Sequence, residues 1–168
     1  QLSLLETLRK RDPGEPLPGE VLQRAMAYIL DHIVLLPAFI VGVELLSVSP
    51  EVSSLDLGDP KLLGMIGVWI GLHFIYHFTM EWALGWTVGK RIIGLRVTAL
   101  DGSKLRFRGA LLRNLLRLVD AEYPAGVFLG TFLMMTSPLR QRLGDRWART
   151  LVVQDVDNSG PPPKPPGV

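Results

Sequence analysis

Two long apolar blocks set the limits on what this chain can fold into. The first, AMAYILDHIVLLPAFIVGVELL at residues 25–46, holds only Asp31, His32 and Glu44 as strongly polar residues. The second, LLGMIGVWIGLHFIYHFTM at residues 62–80, carries two histidines and no formal charge, with Glu81 and Trp82 at its edge. As helices rising ~1.5 Å per residue, both are long enough to cross ~30 Å of hydrocarbon. Pro37 is tolerated in a membrane helix, and Trp82 suits the interface. The first block begins too far in, runs too long and carries Glu44 too near its end to be a cleaved signal peptide.

A third block, YPAGVFLGTFLMMTSPL at residues 123–139, is bounded by Pro124 and Pro138 and stands at the lower limit for a crossing. Just before it, RFRGALLRNLLRLVD sets Leu111, Leu112, Leu115 and Leu118 on one helical face and Arg113 and Arg117 on another. That pattern describes an amphipathic helix at the membrane interface, or a helix packed on the spans with its arginines snorkelling.

The placement of charge says more than its sum of +2. The 47–61 loop carries Glu51, Asp56 and Asp59 against Lys61, whereas Arg9, Lys10, Arg11 and Arg24 precede the first span and six basic residues between Lys90 and Arg108 follow the second. The positive-inside rule therefore places the N-terminus and residues 85–108 in the cytoplasm. Arg140, Arg142, Arg146 and Arg149 follow the third block, so a re-entrant third segment, which keeps them inside, is expected over a full crossing. Both termini are then cytoplasmic.

RIIGLRVTAL alternates Leu95, Val97 and Ala99 against Arg96 and Thr98, and Asp101-Gly102 is a good hairpin turn. A lone hairpin is marginal, and RTLVVQD supplies the natural third strand at 150–154. The expected fold is an α-helical membrane protein with two full transmembrane helices, an amphipathic helix, a short or re-entrant third membrane segment, and a small cytoplasmic β-hairpin or three-stranded sheet. Residues 1–20 read as a tail and linker, 21–155 as the membrane domain, and 156–168 as a disordered proline-rich tail.

Several chemistries are excluded or unsupported. With no cysteine there is no disulfide, thiolate metal site or catalytic Cys. Gly89-Lys90-Arg91 fails the phosphate-loop pattern, which needs Ser or Thr after the lysine. No nucleophile–base set or carboxylate pair suggests an enzyme, and no cofactor is implied. The basic clusters flank membrane segments, so the bilayer and its anionic lipids are their expected partners, and nucleic acid is not. Lys90, Arg91, Arg113 and Arg117 are the headgroup candidates.

An ionisable residue within a span is a functional candidate by default. Arg24 and Asp31 share a helical face, as do His73, His77 and Glu81 on the second block. Antiparallel packing leads to two expectations: an Arg24–Glu81 ion pair at the inner interface, and Asp31 beside one of the histidines. Asp31, His73, His77 and Glu81 are thus candidates for moving a cation or proton, since His beside a carboxylate can change charge near neutral pH. The alternative is that these groups satisfy one another and lock the helices. Three metal ligands spread over two turns rarely converge, so no metal site is expected. Gly64, Gly67 and Gly71 form a small-residue ridge for close packing, against the first span or a separate partner. Asp145, between Arg142, Arg146 and Arg149, reads as a salt-bridged turn.

These residues carry a family resemblance. Arg24 and Asp31 look like the first two signature residues of the RDD family of bacterial and archaeal membrane proteins. GWTVGKRIIGLRV is similar to its Gly-x-Thr-x-Gly-Lys-Arg segment, and RQRLGDRWARTLVV resembles its closing motif, with Asp145 as the second signature aspartate. The match spans roughly 22–154 and departs at Gly144, where the family carries a bulkier residue, often His. It implies an integral protein of a prokaryotic cytoplasmic membrane with suspected transport activity. Two and a half spans cannot enclose a pathway, so a homo-oligomer or a larger membrane complex is expected. The expected function is a non-enzymatic component of a cation- or proton-handling assembly with Asp31 as the intramembrane carboxylate. The alternative is a structural accessory subunit.

Overall fold

Helix α1 (Val21–Leu45) and helix α2 (Pro60–Leu84) each run 25 residues, about 37 Å at the standard rise. They come from a computed structural model of the chain that describes residues 18–46, 59–121 and 124–155. The readings of residues 1–17, most of the 47–61 loop and the proline-rich tail fall outside the described residues.

Local chemistry sets the helix ends. Gln23 Oε1 accepts the Glu20 N–H at 2.9 Å to start α1. Asp59 accepts the Lys61 N–H at 2.9 Å, with Pro60 in the first turn, to start α2. Gly85, in the left-handed region at φ 81°, ends it.

The two helices are built outward-in. Only Arg24, Ala27, Asp31, Leu35 and Val43 of α1 are buried, and only His73, His77 and Glu81 of α2. Their large apolar side chains, among them Leu22, Ile29, Ile33, Ile40, Leu63 and Ile75, are exposed. A water-soluble core helix shows the reverse. Both helices are long and apolar enough to cross a membrane.

A short helix α3 (Val88–Ile93) follows, opened by the Thr87 hydroxyl, which is 3.4 Å from the Lys90 N–H and caps it. It packs against α1 more extensively than any other two elements pack. Strand β1 (Leu95–Ala99) then runs antiparallel to β2 (Thr150–Gln154), pairing Val97 with Val152. Arg91–Ile93, read from the sequence as the start of a strand, is helical.

The expected hairpin is also corrected. The Asp101-Gly102 turn forms, with Asp101 Oδ1 accepting the Ser103 N–H at 3.0 Å. Its returning arm makes a single bridge, Thr98 to Lys104. Arg106 already caps the next helix, so no length remains for a strand there, and among the described residues the sheet has two strands. On the outer edge of β2, Pro18 bridges Val153 and the Gly19 N–H reaches Val152 O at 2.9 Å. Leu95, Val97 and Val152 join Ala27, Leu105 and Ala110 in one apolar core.

Helix α4 (Phe107–Asp120) and helix α5 (Pro124–Thr136) pack together, and α6 (Leu143–Trp147) lies against α4. At 13 residues α5 is about 20 Å long, short of the ~30 Å hydrocarbon core. Helix α4 turns Ala110, Arg113, Asn114, Arg117 and Asp120 inward, and leaves Leu112, Leu115 and Val119 exposed. Its polar face is the buried one.

Candidate functional site

The buried interior of the helices is ionic. Asp31, 1% exposed, points from α1 at the α3 start. Its Oδ1 accepts from the Tyr76 hydroxyl and the Gly89 N–H, both at 2.8 Å, and its Oδ2 from the Thr87 hydroxyl at 2.6 Å. The Tyr76 oxygen in turn accepts the Val88 N–H at 2.9 Å. The close fit depends on Gly89: a Cβ there would sit 2.1 Å from the Ala27 carbonyl oxygen and 2.9 Å from Asp31 Oδ1. The glycine of the Gly-Lys-Arg segment thus lets a backbone N–H reach the carboxylate.

Deeper toward the sheet, Arg113 joins two buried carboxylates. Its Nε donates to Glu81 Oε2 at 2.9 Å, and its Nη1 to Asp145 Oδ1 and to Thr150 Oγ1, the latter at 3.1 Å. Asp145 also accepts from Arg24 Nη1 at 2.9 Å, and Glu81 from Lys90 Nζ and from Asn114 Nδ2 at 3.1 Å. Arg117 Nη1 lies 3.7 Å from Glu81 Oε1. Burial disfavours charge on Arg113, but Asp145 and Glu81 hold its pKa above the usual value. Burial lowers that of Lys90 to about 8 against the pull of Glu81. For Asp145 burial acts upward and is outweighed by Arg113, Arg142 and Arg24, which hold the carboxyl at about 2.

Asp145 therefore ties stability to acid. Its carboxyl falls from 3.8 to about 2 on folding, so the stabilisation is complete above pH 4 and lost as pH falls through 2. The magnitude is roughly 2 kcal/mol. Melting of the purified protein at pH 6, 4 and 2.5 should show little change over the first interval and a drop over the second; Asp145→Asn should flatten that drop.

The sequence-based pairings are partly redrawn. Arg24 does not pair with Glu81. Arg113 inserts between them, so Arg24 takes Asp145 and Glu81 takes Arg113 and Lys90. Asp145 draws its side-chain partners from α1 and α4, and from its own turn accepts only the Arg142 N–H at 3.2 Å. Lys90, Arg113 and Arg117, expected at lipid headgroups, are buried beside Glu81, and Arg113 also beside Asp145. Arg91 is exposed; it stands over Trp86 and 3.2 Å from Asp155.

His77 Nε2 is 3.5 Å from Asp31 Oδ2. His77 Nδ1 donates to His73 O at 3.0 Å, and His73 Nδ1 to Trp69 O at 3.1 Å. A carbonyl only accepts, so each Nδ1 carries the hydrogen and a neutral ring presents a bare Nε2. Among the described residues no three His, Asp or Glu side chains gather as metal ligands.

Two of the three ridge glycines make no contact within the chain. A Cβ on Gly67 or Gly71 would meet nothing within 4 Å, and Gly64, on the same helix, is half-buried. The α1–α2 contact instead uses Gly42 against Val68 and the Phe39–Trp69 ring pair at 4.9 Å. Gly144 has a steric reason: a Cβ would lie 2.8 Å from Arg113 O, and its N–H donates to Asp120 Oδ2 at 3.0 Å. The close α4–α6 approach that delivers Arg113 to Asp145 needs it. Sequence reading missed Tyr76, Thr87, Asn114, Asp120 and Thr150. The 113/114/117/120 spacing beside a leucine face was the available signal for two of them.

The RDD family model matches residues 18–149 of the chain, which belongs to that family of integral membrane proteins. No curated protein and no solved structure matches it.

Proposed function

Since the chain is an integral membrane protein of the RDD family, we propose that it acts as a structural accessory subunit of a membrane assembly, with its signature charges as cross-braces. One observation carries this reading. Both oxygens of Asp31 are engaged, by two hydroxyls and a backbone N–H, so three of its four lone-pair sites are already taken and the fourth faces His77 rather than an open path for a cation. Arg24 and Asp145 likewise serve as mutual partners that tie α1 to the C-terminal elements. In this reading α1 and α2 cross the bilayer, and positive charge keeps Arg24, α3 and the sheet on the cytoplasmic side. The shortness of α5 supports a segment that dips in and returns. The Pro18–Val153 bridge supports placing both ends on one side. The assembly is a homo-oligomer or a larger complex, in the cytoplasmic membrane of a prokaryote.

A proton-handling reading is favoured by one contact. With Nδ1 donating, a neutral His77 would set its Nε2 lone pair against the Asp31 carboxylate, an arrangement relieved by one shared proton. Asp31→Asn separates the two. As a brace, Asp31 should be needed for stability and assembly: the variant should melt lower and lose its oligomer or co-purifying subunit in mild detergent. If assembly persists while proton flux in proteoliposomes disappears, the scaffold proposal is wrong and Asp31 carries the proton.

A further inference from the structure

Helix α4 turns its charged side inward and an apolar stripe outward, the reverse of a helix that meets water. The inward side, Arg113, Asn114, Arg117 and Asp120, is buried. The outward side is Arg108, Leu112, Leu115 and Val119, at the i, i+4, i+7, i+11 spacing of one helical face, and all four are exposed.

Contacts at the two ends of α4 set how deep this stripe lies. At the start the Phe107 ring stands edge-on to Trp82 of α2, with centroids 5.4 Å apart. Just past the end, Ala121 O accepts from the Tyr28 hydroxyl of α1 at 2.7 Å. Trp82 follows Glu81, which Arg113 links to Asp145 and so to Arg24, and this puts Trp82 and Arg24 at a similar depth. Tyr28 is one helical turn beyond Arg24. Over a length of about 21 Å, α4 therefore descends only about 6 Å along α1, and it runs close to the plane of the membrane.

Three large apolar side chains turned away from the core call for an apolar neighbour. Two features identify that neighbour as lipid. The stripe adjoins Phe107 and Trp82, exposed aromatic residues at the inner end of α2, where rings sit at the headgroup level of a crossing helix. Cations stand at the same end: Arg108 heads the stripe, and exposed Arg106 caps the helix. We propose that α4 docks in the cytoplasmic leaflet, with Leu112, Leu115 and Val119 in hydrocarbon and Arg106 and Arg108 against anionic lipid headgroups. The cations that meet headgroups are then not those of the arginine face, which lies inside. The proposal rests on the crossing of the bilayer by α1 and α2, and it is independent of what Asp31 does.

The chain has no cysteine, so a single nitroxide label can be placed by substitution. The test uses Leu115→Cys, Val119→Cys, Ile40→Cys on α1 and Ser103→Cys in the turn, each in the full chain in nanodiscs of phosphatidylglycerol and phosphatidylcholine. Electron paramagnetic resonance reads collisions with oxygen, which concentrates in hydrocarbon, and with a nickel chelate, which stays in water. Labels at the Leu115 and Val119 positions should favour oxygen, as at Ile40, and the label at Ser103 should favour nickel. Nickel access at Leu115 and Val119 overturns the docking alone if Ile40 stays protected, and overturns the crossing as well if Ile40 does not. Protection of both positions from both colliders shows that protein covers the stripe, and overturns lipid as the occupant. A second arm titrates the chain in mild detergent with short-chain phosphatidylglycerol or phosphatidylcholine and follows thermal melting. Phosphatidylglycerol should stabilise more, and Arg106→Gln with Arg108→Gln should weaken its apparent affinity by roughly tenfold or more. Both arginines are exposed, so the double variant keeps the core, and an unchanged preference for phosphatidylglycerol overturns the headgroup contact.

Discussion

Replacing Arg113 by methionine should destabilise the protein by at least ~3–5 kcal/mol, the usual consequence of leaving buried charge without its partner. Arg113 is 1% exposed and, among the described residues, is the one side chain that binds both Glu81 and Asp145. Methionine fills the volume and makes neither bond, so two buried carboxylates must share what Arg24, Lys90, Asn114 and the more distant Arg117 still offer. The effect belongs to the lattice rather than to one pair. A triple variant that also carries Glu81→Gln and Asp145→Asn should therefore recover a measurable part of the loss, because uncharged amides tolerate burial better than orphaned carboxylates. Thermal melting in detergent decides the matter: if the triple variant is as unstable as the single one, Arg113 stabilises through packing alone.

Gly89→Ala should have a comparable effect from a single methyl group. The added Cβ would meet the Ala27 carbonyl oxygen at 2.1 Å, and a backbone atom inside a long helix cannot swing aside as a side chain can. Helix α3 must lift from α1, which stretches the Gly89 and Thr87 bonds to Asp31. Overpacking and weakened bonds to a charged acceptor together amount to about 3 kcal/mol or more. Gly71→Ala is the control. Its Cβ would meet open space, so helix propensity alone should leave that variant unchanged or slightly firmer. Melting that falls equally in both variants would refute the steric account.

The two long helices were legible because lipid imposes a crude requirement: enough consecutive apolar residues. Asp31 was legible as a residue of consequence for the same reason, since a carboxylate in such a run needs a partner. The partners were not legible. Thr87, Gly89 and Tyr76 reach Asp31 only because α3 folds back onto α1, and nothing periodic in six residues announces that return. Helix α4 was misjudged by a sound rule applied in the wrong solvent. A leucine face opposite an arginine face means water on the arginine side at an interface, yet here the leucines face outward and Arg113, Asn114, Arg117 and Asp120 face carboxylates inside. Arg24 was given the wrong acid because two antiparallel helices were compared for depth without the third that comes between them. The sheet was over-read at Asp101-Gly102 because a good turn signals a reversal and says nothing of how long the returning arm stays extended.

Arg24 and Asp145 are separated by 121 positions in the chain. Their union fixes an order of events during synthesis. The first helix is made, and can enter the membrane, long before its guanidinium has an acid to meet. Any nascent or truncated chain that stops short of residue 145 lacks that acid for the cation near the start of its first helix, so synthesis has to pass residue 145 before the first helix is finished.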